Sequence, residues 1–254
     1  MARYQVILTY DGTHFYGFQK QGNARTVQAV LETTLCKMGW QNKTLLYAGR
    51  TDAGAHALGQ VIAFDMEWKH SIEELRQALN AHLPNDVAAL SVLPVRADFH
   101  PRYAALRRCY QYRLFCSETR QPLRERYSWR VWPSVQLMPM QEAATHILGT
   151  HDFAAFGSPT SPKGSTIRTI YEAQWHQDGM DFFFEIVGNA FLYHMIRRMV
   201  FFMVEIGQGK RQPEDILVYL DRIRTSASLR LAPPHGLYLM EVTYPLDIYD
   251  IDES

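Results

Sequence analysis

The chemistry of this chain starts from Asp52, which sits in the segment Leu45-Leu46-Tyr47-Ala48-Gly49-Arg50-Thr51-Asp52-Ala53-Gly54-Ala55-His56. An apolar, strand-like run ends there in a loop that holds one carboxylate between two glycines. Gly49 and Gly54 let the backbone take positive φ and let another chain segment come close, while Arg50 and Asp52 project within reach of one substrate. A reactive acid is usually presented this way. The same residues also fit a tight turn in which Asp52 caps local backbone amides.

Arg197 is the second residue of interest. From Phe191 to Ile206 the apolar positions Phe191, Leu192, Met195, Ile196, Met199, Val200, Met203 and Val204 recur in adjacent pairs every four residues, which predicts a strongly buried helix. On a wheel at about 100° per residue, His194, Arg198 and Glu205 form one narrow polar strip. Arg197 falls outside it, between Tyr193, Phe201 and Val204, so the pattern predicts that it is substantially buried. A buried guanidinium keeps its proton and is costly without a partner. Asp52 is the candidate carboxylate, since a loop acid needs such a group to stay ionised and fixed. A structural ion pair with Glu172, Glu185 or another acid is the alternative.

The third signal is basic and aromatic. Between Arg96 and Arg130 there are nine arginines against three acids, a local charge of +6, in a stretch rich in Tyr and Trp. Arginine interleaved with aromatics suits phosphate contact plus base stacking. Within it, Tyr103 to Phe115 reads as a long strand in which Arg108, Tyr110 and Tyr112 share one face, with Cys109, Gln111 and Arg113 on the other. An acidic tail, Glu241, Asp247, Asp250, Asp252 and Glu253 with no Lys or Arg among the last fourteen residues, brings the net charge to zero.

The elements that must position these groups follow an α+β order. Val6, Leu8 and Tyr10 alternate as a strand, and a helix over Val27 to Met38 has Thr26 as its N-cap. Val61 to Phe64 and Ala88 to Val95 read as strands, separated by a helix from Ile72 to Leu83 that Pro84 ends. Composition turns basic and Pro101 interrupts the pattern near Phe99 to Tyr103, giving an N-terminal α/β domain over 1–100 with the aspartate loop and a C-terminal one over 101–254. In the second half a helix around Met140 to Leu148 and an irregular loop from Gly157 to Ser165 precede strands Ile167 to Trp175 and Phe182 to Val187, joined by a hairpin turn at Gln177 to Met180.

Composition narrows the class. A chain of 254 residues with 47% hydrophobic residues can bury a substantial core. No apolar run approaches the roughly 20 residues that span a membrane, and the start carries no signal-peptide core. Cys36, Cys109 and Cys116 are too few and too irregularly spaced for a disulfide framework or zinc knuckle, which fits a reducing cytoplasm. The ten histidines show no paired ligand spacing, so no metal is expected.

Taken together, the chain resembles the TruA-type tRNA pseudouridine synthases nearly end to end. The resemblance is carried by Leu8-Thr9-Tyr10-Asp11-Gly12 with Phe15-Tyr16-Gly17-Phe18-Gln19, by Gly49 to His56, and by Phe99-His100-Pro101-Arg102 leading into Arg107-Arg108-Cys109-Tyr110-Gln111-Tyr112. It continues through Asp152 to Phe156, Arg168-Thr169-Ile170, Asn189 to Arg197, and Pro233-Pro234-His235-Gly236-Leu237-Tyr238-Leu239. It implies the pseudouridine synthase fold, with two α/β domains on a largely antiparallel central sheet with flanking helices. It also implies a homodimer that takes the anticodon arm of tRNA in a basic cleft and isomerises uridine to pseudouridine at positions 38, 39 and 40. By this likeness Asp52 is the catalytic aspartate, Tyr110 stacks on the target base, Arg197 partners Asp52, and Arg50 helps extrude the nucleotide.

That reaction needs no cofactor. Asp52 can serve as nucleophile or as base, and the target base must leave its stack, a cost that an arginine and an aromatic platform partly offset. Tyr110 could also remove the C5 proton. Arg107 and Arg108 are expected on phosphates. Two positions depart from the family: Ala55 stands where Val is common, and Phe201 where Gly is frequent, which puts the helix packing near Arg197 in question. A non-catalytic structured-RNA-binding module is the alternative to an enzyme. A glycosidic hydrolase normally wants two acids flanking its substrate, and no second acid accompanies Asp52 in its loop.

Overall fold

A computed structural model of the chain describes residues 1–41, 44–161, 164–221 and 229–249. It has the expected mixed α+β composition and divides into two compact units, Met1–Leu106 together with the segment from Leu239 onward, and Arg107–Tyr238.

The first unit is built on β1 (Ala2–Tyr10), β2 (Leu46–Tyr47), β3 (His56–Met66) and β4 (Val87–Val95), with helices α1 (Val27–Lys37) and α2 (Ile72–His82). β1 runs antiparallel between β3 and β4, and β2 adds to β3. In β3, Val61, Ile62, Ala63 and Phe64 are buried at consecutive positions, which a strand allows only when both faces are covered. One face meets a cluster of Val95, Phe99 and Ile248 around Ala63. Both helices start where their cap residues dictate. The Thr26 hydroxyl accepts from the Ala29 amide at 3.3 Å, and Ser71 and Glu74 form a reciprocal capping box.

The second unit contains β5 (Arg107–Cys116), β6 (Trp129–Val131), α3 (Leu137–His146), β7 (Gly149–Asp152), β8 (Ile167–Asp178), β9 (Asp181–Gly188), α4 (Met195–Gly207) and α5 (Asp215–Asp221). Its sheet order is β5-β9-β8-β7, antiparallel throughout, with β6 parallel to β5. The β8–β9 hairpin turns at Gly179 with φ +57°, as Asp178-Gly179 predicts. Trp175 stacks on Phe184 at 4.9 Å, and its indole N–H donates to the Met203 sulfur at 3.3 Å, which ties α4 to the sheet. Gly207 gives α4 its close approach to α3, for a Cβ there would lie 2.6 Å from the Met140 sulfur.

Several boundaries differ from the sequence reading for local reasons. β5 begins at Arg107 rather than Tyr103, because the Tyr103 and Ala104 amides both donate to the His100 carbonyl and make a turn. α4 begins at Met195 rather than Phe191, since His194, its N-cap, has φ +68° and ends an irregular approach. The sequence division placed everything after residue 100 in one half. Contacts instead group Leu239 onward with the first unit, where the last strand, β10 (Leu237–Thr243), lies beside β3. Gly59 in β3 serves that pairing, as any Cβ would collide with the Met240 carbonyl. Phe201 faces Trp129 in a near-parallel stack at 5.8 Å, so the bulk at this position has a partner of its own. Asp250, Asp252 and Glu253 of the acidic tail, and Pro162 and Lys163 of the Gly157–Ser165 loop, lie outside the described residues.

Candidate active site

In the first unit, the loop carrying Asp52 is held by residues far from it in sequence. Thr51 is buried, its hydroxyl 2.7 Å from the Tyr10 hydroxyl, and its carbonyl accepts from the Phe18 amide at 3.1 Å. The fully buried Gln60 donates to the Gly49 carbonyl at 3.0 Å and accepts from the Val61 amide at 3.1 Å. Beyond Asp52 the chain closes a tight turn in which the Ala55 amide donates to the Asp52 carbonyl at 3.1 Å, with Gly54 at φ +79°. The buried His56 ring accepts the Gly12 amide on Nδ1 at 3.0 Å, so Nδ1 has its lone pair toward that amide.

Two glycines of the opening segment make this possible. A Cβ on Gly12 would collide with the Ala55 carbonyl, and Gly17, at φ +83°, would place one 3.0 Å from the Thr51 carbonyl. The stretch from Tyr10 to Phe18 and the loop from Gly49 to His56 are thus one built structure. Asp52 is half-buried on it, and Arg50 is exposed with its Nε 3.4 Å from the Tyr47 hydroxyl. Sequence reasoning gave no supporting role to Tyr10, Gln60 or His56. The available signal was the pairing of Tyr10-Asp11-Gly12 and Gly17 with the loop in one resemblance.

In the second unit, β5 turns Arg108, Tyr110 and Tyr112 inward, as the strand period requires. Tyr110 is 8% exposed and meets the Phe191 ring edge-on at 5.2 Å. Arg108 is equally enclosed, at 9%, with its guanidinium donating to the Asn189 carbonyl at 2.6 Å. Asn189 is itself pinned to β8, its side-chain oxygen accepting the Thr169 amide at 3.1 Å. Arg107, on the opposite face, is exposed and lies over the Tyr171 ring at 4.8 Å. The adjacent arginines therefore occupy different environments, and only Arg107 presents its charge at the surface.

Arg197 is half-buried, less enclosed than the helical wheel predicts, because α4 starts only two residues before it. Its Nε donates to the Ala232 carbonyl at 2.7 Å, and its own carbonyl accepts the Ala232 amide at 3.1 Å. The turn that follows rests on β5. Tyr112, wholly buried, donates its hydroxyl to the Pro233 carbonyl at 2.8 Å, and a Cβ on Gly236 would lie 2.8 Å from the Tyr112 ring. Burial raises the Tyr112 phenol well above its ordinary value, with Arg197 opposing, so the hydroxyl keeps its proton. Burial also lowers the His235 pKa; Glu125 opposes and Arg197 assists. Arg198, half-buried with Nη1 donating to the Phe156 carbonyl at 3.1 Å, is shifted down by burial and then by its neighbour Arg197.

Much of the +6 between Arg96 and Arg130 is used internally. Arg113 lies over Tyr238 and Arg124 over Phe115, while Arg124 pairs with Asp181 and Arg130 with Glu125. Among the described residues no group of three or more His, Cys, Asp or Glu gathers as a metal ion would need, and no helix is long and apolar enough to cross a membrane.

The chain matches the family described as tRNA pseudouridine synthase over residues 6–104 and 143–245, and it belongs to that family. Among its relatives, tRNA pseudouridine synthase A of Geobacillus kaustophilus is 41% identical over 244 residues, covering 95% of this chain and 94% of that one. The protein of the same name from an Exiguobacterium species is 40% identical, covering 96% and 98%, and that of Ligilactobacillus salivarius is 40% identical, covering 95% and 96%.

Proposed function

We propose that the protein isomerises uridine to pseudouridine at positions 38, 39 and 40 of the anticodon stem-loop of tRNAs, without a cofactor, as a cytoplasmic homodimer. Similarity to the synthases along nearly the whole chain carries this reading. The substrate positions, the dimer and the compartment come from the family resemblance.

In the reaction the N-glycosidic bond breaks, the uracil turns while still bound, C5 bonds to the same ribose carbon, and the C5 proton leaves. Asp52 is the group assigned to the reacting atoms, as nucleophile or as base. Its loop supports the assignment, since backbone and side-chain bonds on both flanks fix where the carboxylate is presented. Tyr110 is assigned to stack on the extruded base, and Arg50, exposed on the Asp52 loop, to assist extrusion. Arg197 is assigned as the cation that keeps Asp52 ionised, and Arg107 as a phosphate contact. Arg108, enclosed with its guanidinium on the Asn189 carbonyl, is assigned to support of that turn instead of the phosphate contact expected of it.

The test is tritium release from tRNA carrying uridine labelled at C5. Wild type is expected to release tritium, and Asp52→Asn to bind tRNA with the same affinity and release none. Tight binding without release by wild type would instead indicate a non-catalytic RNA-binding module, and activity surviving in Asp52→Asn would remove Asp52 from the mechanism.

A further inference from the structure

We propose that Tyr112 is a positioning residue for Arg197, acting through the turn from Ala232 to Gly236. The proposal rests on the assignment of Arg197 to the catalytic group and adds a residue that never touches substrate.

A guanidinium is planar, so a hydrogen bond at Nε fixes its plane, and with it the direction of both terminal nitrogens. For Arg197 that bond goes to the Ala232 carbonyl at 2.7 Å. The orientation of Arg197 is therefore only as good as the position of Ala232. Two prolines follow, and neither has an N–H with which to anchor the turn. The Pro233 carbonyl is instead held from below by the Tyr112 hydroxyl at 2.8 Å, and Gly236 lies directly against the Tyr112 ring and the Arg113 carbonyl. Tyr112 projects from the interior face of a central run of β5, wholly buried and held by antiparallel pairing to Phe184. Its hydroxyl is thus a fixed point in the core, one residue away from the carbonyl that aims Arg197. A phenylalanine would fill the same space, so the hydroxyl has a separate use. Without it the Pro233 carbonyl loses its donor and the turn can settle elsewhere, and displacements of about 1 Å near reacting groups cost up to a hundredfold in rate.

The experiment compares wild type, Tyr112→Phe, Arg197→Lys and the double variant by single-turnover tritium release at saturating tRNA, with tRNA affinity measured alongside. Tyr112→Phe is expected to turn over about tenfold to a hundredfold more slowly with tRNA affinity unchanged. The double variant should be no slower than Arg197→Lys alone. The direct readout is the 15N–1H signal of the Arg197 Nε–H, assigned by its loss in Arg197→Lys. Its exchange with water should accelerate in Tyr112→Phe. A merely structural tyrosine would slow both backgrounds alike and leave that signal unmoved, and either result overturns the proposal, as does wild-type turnover by Tyr112→Phe. Wild-type turnover by Arg197→Lys would instead overturn the catalytic assignment of Arg197, while the exchange measurement still decides whether Tyr112 positions it. If Tyr112→Phe does not fold, Gly236→Ala, which lifts the turn off an intact tyrosine, should show the same loss of rate and faster exchange, and the absence of both changes would overturn the proposal.

Discussion

Successive side chains on a strand point to opposite faces, and in β5 this separates two arginines that the sequence presents as a pair. Arg107 carries its charge at the surface over Tyr171, whereas the enclosed Arg108 donates to a backbone carbonyl. Arg107→Ala should therefore weaken tRNA binding across all tRNAs and reduce the slope of log affinity against log salt by about one. Arg108→Ala should leave that slope unchanged and lower stability by about 1–3 kcal/mol, because the Asn189 carbonyl loses a charged donor. Binding titrations at several salt concentrations, with denaturant unfolding of each variant, check both. The strand period alone places these residues on opposite faces. It does not say which face is inside, because Tyr110 and Tyr112 suit a core and a base-stacking surface equally.

At the scale of elements, the aspartate loop and the opening segment fold as one piece, and the weak point is glycine rather than charge. Gly12→Ala would drive a methyl group into the Ala55 carbonyl. It is expected to cost about 1–3 kcal/mol and to reduce turnover strongly while Asp52 remains in place. Thermal melting and tritium release, compared with Asp52→Asn, separate this from a chemical defect: Asp52→Asn should melt like wild type, Gly12→Ala should not. The regular elements here were legible in sequence because periodicity and capping are local, as at Thr26 and at the helix that Pro84 ends. The turn that follows Asp52 was legible from Gly54, which takes φ +79°. The supports of the loop were not, since Tyr10 and Gln60 reach Thr51 and Gly49 only through strand pairing. The start of α4 was misplaced for a related reason. Phe191 and Leu192 continue the apolar rhythm, but the left-handed backbone at His194 interrupts the helix without breaking the pattern.

For the whole molecule, a net charge of zero conceals internal bookkeeping in which many arginines are already committed to rings and carboxylates. The titration of two histidines is more informative. His100 in the first unit and His235 in the second are both shifted below 6.5, chiefly by burial. The unfolded chain then binds more protons than the folded one just below that pH, so stability rises with pH through this window and is lost as pH falls through the folded values. Melting temperature should accordingly drop between about pH 7 and pH 5.5, and His100→Gln/His235→Gln should flatten that drop. A pH dependence identical to wild type would show that the two rings do not contribute.

The strand β10 returns the chain to the first unit after the second is finished, and this bears on biosynthesis. The Leu106 amide donates to the Thr243 carbonyl, the Arg96 amide to the Ile248 carbonyl, and the Tyr244 hydroxyl to the Pro101 carbonyl, while Ile248 completes the cluster around Ala63. On a ribosome, the residues that carry Asp52 emerge before the second unit, yet their unit lacks these closing partners until the segment that follows that unit is made. The second unit, contiguous from Arg107 to Tyr238, has all its own strands earlier. Nascent chains thus complete their later-made half first and hold β3 without its β10 neighbour, so a message truncated before β10 leaves that edge of β3 unpaired and the cluster around Ala63 without Ile248.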